Sequence, residues 1–435
     1  MSRRVVITGR GVVSPLGIGL EAHWTGAIAG RSAIRRSPRL AAQGFPVDLA
    51  AEISEETLAP HLSRFPRKQL KLFSRVTRFG MLAASLAMEE AGLGASTLDP
   101  TRFGIFLGTF FTALDSVGFI ELLSASESLS EPGSLDLARA NAYWMTNVNP
   151  IDYSLKTMPN LSAGHLAIAH NAQGICRVVA DPPTGGLQAI GQAQWTIREG
   201  LADVALAGGT EAPLEEMVFM NFCTLDYLAA GGERSESTCS PFDARRCGTV
   251  LGEGAGMVVL EELEHARARS ATVRGELLGS GVAGGDDSLY RTPDPDGIAR
   301  RLGLAMARAL ESADPDEIDV IFANGDGTRT RDQAETAAVK ALFRGRAERI
   351  PLTAPKATQG HLLSAAGPVE LITCLLSLER GIIPPTLHYR EPDPFCDLDY
   401  VPNQPRRQPA MRAAMINGIG LFGESASLAV RRGIF

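Results

Sequence analysis

Residues 174–193, Gly-Ile-Cys-Arg-Val-Val-Ala-Asp-Pro-Pro-Thr-Gly-Gly-Leu-Gln-Ala-Ile-Gly-Gln-Ala, constrain the fold more than any other stretch. Apolar residues from Ile175 to Ala180 suit a buried strand, Gly185 and Gly186 permit close backbone approach, and Leu187, Ile190 and Ile197 recur at roughly helical spacing. The stretch therefore reads as strand, tight turn and helix start. Such an elbow presents a side chain at a helix N-terminus, where free N–H groups and the macrodipole favour a thiolate or an oxyanion. Its tip here is Pro182-Pro183.

No Pro/Gly/Ser-rich linker or long charge run divides the 435 residues, so one large unit is expected. A net charge of −7 supplies no basic footprint for nucleic acid. No apolar run approaches ~18 residues, and a strand begins near the N-terminus without the apolar stretch of a signal peptide, so no membrane is expected and the expected location is cytoplasmic. Cys176, Cys223, Cys239, Cys247, Cys374 and Cys396 form no Cys-x-x-Cys pair; they read as free, mostly buried thiols, and neither a metal nor another cofactor is expected.

Val5 to Val13 is rich in β-branched residues and reads as a buried strand. Helical patterns follow near Leu20–Ile28 and Phe73–Ala91, the second stopped by Gly92, with an irregular surface segment from Arg31 to Arg67 between them. Phe103 to Gly108 reads as a strand leading into a helix over Thr109–Leu123 with a large apolar face. Gly275–Gly284 echoes Val6–Val13 just after a strand at Val258–Leu260 and a helix at Glu261–Arg269, where the second half of a duplicated α/β fold would begin.

Thr184-Gly-Gly-x-x-x-Ile-Gly after a buried strand resembles the nucleophile turn of the elongating β-ketoacyl-acyl-carrier-protein synthases. Further motifs are similar in order and spacing: Val5-Val-Ile-Thr-Gly-Arg-Gly-Val-Val-Ser-Pro-Leu-Gly17, Ala205-Leu-Ala-Gly-Gly-Thr-Glu211, Val250-Leu-Gly-Glu-Gly-Ala-Gly-Met257, Lys356 with Gly360-His-Leu-Leu-Ser-Ala-Ala-Gly367, and Asn417-Gly-Ile-Gly-Leu-Phe-Gly423. The resemblance covers essentially the whole chain. It implies an α/β protein of the thiolase fold, with duplicated βαβ-rich halves, 1–257 and 258–435, in α-β-α-β-α layers.

In that family's pattern the catalytic cysteine falls on Pro183, and the first catalytic histidine, normally in Asn-Ala-His-Gly-Thr, falls on Asp326 of Asn324-Gly-Asp-Gly-Thr328. The second histidine falls on His361, with the family's lysine and glutamate at Lys356 and Glu370. Condensation needs a thiolate, an imidazole pair and N–H donors for the thioester oxyanion. Proline has neither thiol nor backbone N–H. The other oxyanion donor would be Leu421, where the family usually has a gating phenylalanine. An ionised Asp326 would repel a malonyl carboxylate and an enolate. His361 reads as structural, helping Lys356 to satisfy a buried carboxylate, and Cys247 of Arg246-Cys-Gly-Thr249 as a buried structural cysteine.

This mixture resembles the β subunit of a type II polyketide ketosynthase, a chain-length factor. The resemblance implies no catalytic residue and no enzyme activity of the chain on its own, heterodimerisation with a catalytic ketosynthase α subunit, and shaping of the acyl tunnel in polyketide or polyene biosynthesis. Phe110, Phe111, Leu114 and Phe119 are the tunnel and interface candidates. The acyl carrier protein is the other implied partner, and an acidic carrier must dock through a local basic patch or the partner subunit. Two alternatives stay open: a malonyl-carrier decarboxylase that makes starter units, and an acyl-binding homodimer.

Overall fold

The structure, a computed structural model, describes residues 3–94, 97–110, 116–147, 156–225, 227–229, 238–285, 294–310 and 313–433. The main strands are β1 (Val5–Ser14), β2 (Phe103–Gly108), β3 (Cys176–Val179), β4 (Val204–Glu211), β5 (Gly254–Glu262), β6 (Gly275–Ala283), β7 (Ile318–Phe322), β8 (Leu352–Thr353), β9 (Ala413–Ile419) and β10 (Ser425–Arg432). They lie in the order β8-β7-β9-β10-β6-β1-β5-β4-β2-β3, and Gly17–Ile18 pairs on β1 to complete an eleven-stranded sheet. Every residue of β1, β2, β4 and β5 is buried, which is why these segments read as continuous apolar runs rather than alternating ones.

The sheet consists of two similar halves. In one, β3–β2 and β2–β4 are parallel while β4–β5 and β5–β1 are antiparallel. In the other, β8–β7 and β7–β9 are parallel while β9–β10 and β10–β6 are antiparallel. The same succession of pairings in both halves is the structural form of the repeat. Among the described residues the strands of the two halves pair only where Val5–Ile7 of β1 meets Gly275–Leu277 of β6, so the sheet can fold about this short seam.

The helices used below are α1 (Arg75–Ala91), α2 (Ser116–Ala125), α3 (Leu137–Asn147), α4 (Pro159–His170), α5 (Gly185–Arg198), α6 (Pro295–Ala309), α7 (Arg329–Phe343) and α8 (Ala366–Arg380). Between the halves run α5, which packs on β2, β4, β6 and β10, and α8, which packs on β5 and β9. All residues of α8 from Ala366 to Leu378 are buried, as expected for a helix apolar on every side. On the outer faces, α1 covers β1, β4 and β5, and α6, with α7 along it, covers β6 and β10. These are the expected alternating layers. No helix among the described residues is long and apolar enough to cross a membrane.

Several sequence expectations change. Residues 31–67 hold the paired strands Arg35–Arg36 and Leu49–Ala50 and the helices Pro38–Ala42 and Glu55–Leu62; Leu40 and Val47 are buried in a cluster with Phe219 and Phe222, so this segment has its own core. The helix expected over Thr109–Leu123 is observed as α2. Thr109 and Phe110 instead follow β2, the Thr109 N–H donating to Val179 O at 3.2 Å and the Phe110 N–H to Glu211 Oε1 at 2.7 Å. Phe111 and Leu114 lie outside the described residues. Cys239, Cys374 and Cys396 are buried, but Cys176 and Cys247 are exposed and Cys223 is half-buried. Cys176 sits on the outermost strand, and Cys247 in a loop beside a buried arginine, positions that local apolar context does not reveal.

Gly186 marks the tightest passage of α5. A Cβ there would stand 2.1 Å from the Ser364 carbonyl oxygen and 2.5 Å from Pro368 Cγ. Gly186→Ala is therefore expected to lower the unfolding free energy by about 1–3 kcal/mol or more. Gly303→Ala, inside α6 where a Cβ meets nothing within 4 Å, is expected to raise it by about 0.4–1 kcal/mol. Urea unfolding of both variants checks the pair; equal effects would show that the close approach does not limit packing.

Candidate functional site

The elbow is observed where the sequence puts it. β3 ends at Val179, Asp181–Thr184 turn with the Gly185 N–H donating to Asp181 O at 2.5 Å, and α5 begins at Gly185. Pro183 is buried at the tip. The Leu421 N–H, the other expected oxyanion donor, points at Pro182 O at 3.4 Å, a long and weak bond that still turns it toward the elbow backbone.

Asp326 lies in the turn between β7 and α7. Gly325 (φ +40°) and Gly327 (φ +82°) adopt left-handed backbone there, and Glu335, from α7, accepts from the Asn324 and Gly325 N–H groups at 2.9 and 3.0 Å. Asp326 Oδ1 accepts from the Thr328 N–H and hydroxyl at 2.8 and 2.7 Å, and Oδ2 accepts from the Tyr227 hydroxyl at 3.3 Å. Arg331 Nε stands 3.9 Å from Oδ2, and its guanidinium lies over the Tyr227 ring at 5.0 Å and donates through Nη2 to Leu421 O at 3.2 Å. The expected repulsion by a bare Asp326 charge is thus offset by a buried arginine. Burial first, and Asp326 next, hold the Tyr227 phenol well above its ordinary value, so it stays a neutral donor.

His361 is fixed by its backbone: its N–H donates to Val250 O at 2.7 Å and its carbonyl accepts from the Gly252 N–H at 2.9 Å. Its Nδ1 accepts from the Leu363 N–H at 3.1 Å, which places the ring proton on Nε2. Among the described residues that buried Nε2 has no partner. Burial, then Lys356 and Arg331, push its pKa well below the ordinary histidine value, so the ring is neutral. Tyr227 faces it at 6.1 Å between ring centroids. The expected histidine–carboxylate contact is not formed; among the described residues Glu370 is held by Lys356, Nζ to Oε1 at 2.8 Å, and burial raises Glu370 to about 7.

Elbow, Leu421, Arg331, Asp326, Tyr227 and His361 therefore form one continuous chain of contacts, with Lys356–Glu370 beside it. Phe110 and Phe119 lie apart at the surface, partly exposed. Sequence reasoning missed Tyr227, Arg331 and Glu424. Only Arg331 had a signal, a cation five residues past Asp326 and just beyond the Asn324–Thr328 motif. Buried Glu424 accepts from the Phe422 N–H at 2.9 Å, and burial followed by neighbouring Asp181 pushes it up to about 8. Arg246 is buried, 2.6 Å from Asp393 and 3.3 Å from Asp332, which explains a fixed arginine beside exposed Cys247.

The comparisons agree with this geometry. Residues 2–266 match the β-ketoacyl synthase N-terminal domain family and residues 274–390 its C-terminal domain family. The chain belongs to the β-ketoacyl synthase family and has its thiolase fold. It is 36% identical over 432 residues to the tetracenomycin polyketide synthase ketoacyl synthase alpha subunit of Streptomyces glaucescens, covering 98% of this chain and 97% of that one. Among solved structures it is similar to the ishigamide ketosynthase/chain length factor, at 30% identity and TM-score 0.82 over 100% of both chains. It is also similar, at 28% identity and TM-score 0.82 over 100% of both chains, to a chain of a solved structure described as a type II PKS acyl-carrier protein in complex with its ketosynthase bound to the hexaketide. These findings make the chain a type II polyketide ketosynthase-like protein. They also overturn the expectation that it is no enzyme on its own: relatives such as the tetracenomycin subunit are named as ketoacyl synthases, and the family is an enzyme family.

The raised Glu424 gives a signed expectation. A carboxyl moved from 4.5 to about 8 keeps its proton in the native state where the unfolded chain has lost it, so it removes stability as pH rises through that window. Glu424→Gln should unfold at higher denaturant than wild type at pH 8, by on the order of 1–3 kcal/mol, and gain little at pH 5. Denaturant titrations at both pH values check this; an equal gain at both would assign the effect to packing.

Proposed function

We propose that this chain is one member of a type II ketosynthase pair, of chain-length-factor type. It joins a catalytic ketosynthase α subunit, and the acyl chain on that subunit's cysteine grows in a pocket whose far wall this chain helps to form. Residue 183 carries the reading. The elbow, its glycine-packed helix and the surrounding turns have the family's form, while the side chain at the nucleophile position is proline, which has no group to accept an acyl chain. An uncovered surface supports it too. β3 is an edge strand, and the helices packed on it expose Ile168 (80%) and Trp195 (58%). The hairpin of α2 and α3, which pack chiefly on each other, exposes Ile120 (62%) and Phe119 (50%). Apolar surface of this extent suits a protein interface. Phe110, Phe111, Leu114 and Phe119 are proposed to set pocket depth from that interface, with the acyl carrier protein delivering the extender.

A second reading, malonyl-carrier decarboxylation, is favoured by His361 alone. Its Nε2–H is a buried donor without a described partner, suited to the enolate oxygen formed as CO₂ leaves a malonyl thioester.

Co-purification with a cognate catalytic ketosynthase, then single-turnover elongation with each chain alone and together, tests both. The pair reading expects a stable mixed complex, elongation that is lost on mutating the partner's cysteine and unchanged by His361→Ala, and longer products from Phe119→Ala. CO₂ release from malonyl carrier by this chain alone, lost in His361→Ala, would establish the second reading instead.

A further inference from the structure

β3 carries an arginine whose side chain is unpaired among the described residues. Arg177 is exposed on this edge strand and, among the described residues, its side chain forms no ion pair or hydrogen bond. Its neighbours on the strand are Cys176 and Val178, and the strand pairs on one side only, in parallel with β2. The carbonyls of Ile175 and Val179 accept from the Ile105 and Thr109 N–H groups at 2.8 and 3.2 Å. Backbone direction alternates along a strand, so odd-numbered residues turn their backbone groups toward β2 while Cys176 and Val178 turn theirs outward.

Those outward groups can bond another edge strand. If a second copy supplied it about a twofold axis perpendicular to the sheet, the strands would run antiparallel and Cys176 and Val178 would form the hydrogen-bonded pairs. The axis keeps both Arg177 side chains on one face. With the register centred on the strand, Arg177 meets Arg177 of the other copy at a non-hydrogen-bonded position, Cβ atoms about 4.5–5.5 Å apart; a shift of two residues leaves them diagonal, about 7–8 Å apart. Either register sets like charges against each other in a strand pair. The two helices packed on β3 also leave the apolar side chains Ile168 and Trp195 exposed.

We infer that Arg177 is a charge code on the edge strand: it opposes pairing of this chain with itself and selects a different chain of the same fold that presents a carboxylate opposite it. This inference rests on the ketosynthase-pair reading for the identity of the other chain. The strand chemistry can be tested without it.

Tagged full-length wild-type chain is mixed at low ionic strength with an untagged copy that is wild type, Arg177→Glu or Arg177→Lys, and the captured untagged chain is quantified by mass. The Arg177→Glu copy is expected to be captured roughly five-fold more than the other two, with the excess shrinking as salt is added. The lysine variant, which keeps the charge, behaves as wild type. Equal capture of all three copies, or capture of none, overturns the inference. Capture of a catalytic ketosynthase by the tagged wild type, measured separately, tests the pair reading. Ketosynthase capture with equal recovery of the three copies removes the charge code alone, whereas preference for Arg177→Glu without ketosynthase capture removes only the pair reading.

Discussion

The two halves of the sheet are held apart and together by α5 and α8, and the rest of the molecule follows from that packing. A helix with sheet on two sides buries most of its surface, as α8 does almost completely and α5 over all but its outer face, and close approach requires positions without side chains. Gly186 and the Ser364–Pro368 backbone supply that closeness. Because the elbow leads directly into the first turn of α5, and Glu370 lies on α8, the same packing that builds the core fixes both sides of the candidate site.

The site's electrostatics are those of a closed interior. Asp326 is balanced by Arg331 and Tyr227, Glu370 by Lys356, and Asp332 by Arg246. The Tyr227–Asp326 and Arg246–Asp332 contacts span elements distant in sequence, so they also stitch separate loops to one another. Buried pairs are costly to break because the charge left behind is uncompensated, whatever their net contribution while intact. His361 differs from these groups. It is neutral, anchored through Nδ1, and turns Nε2–H into a space where no described protein atom accepts it.

Motif order identified the family, and the local backbone followed it closely: β1, the helix at Leu20–Ile28, the stop of α1 at Gly92 and the elbow lie where glycine placement and apolar runs put them. The partners of the site residues were not legible in this way. A tyrosine at position 227 and a glutamate at 424 have no local pattern that marks them, since their roles arise from contacts across about a hundred residues of chain or from burial itself. Exposure of Cys176 was equally hidden, because a strand's sequence does not say whether it will be central or at the edge.

By itself, then, the sequence determined the family, the duplicated α/β plan and a proline at residue 183, which carries neither thiol nor backbone N–H, because these depend on residue identity and short-range backbone preference. Tertiary structure alone decided that Asp326 would accept from Tyr227 with Arg331 nearby, that His361 would present Nε2 rather than bind Glu370, and that Arg177 would stand on an open edge. Those outcomes depend on which groups become neighbours and how much water remains between them, and the packing of the two halves sets both.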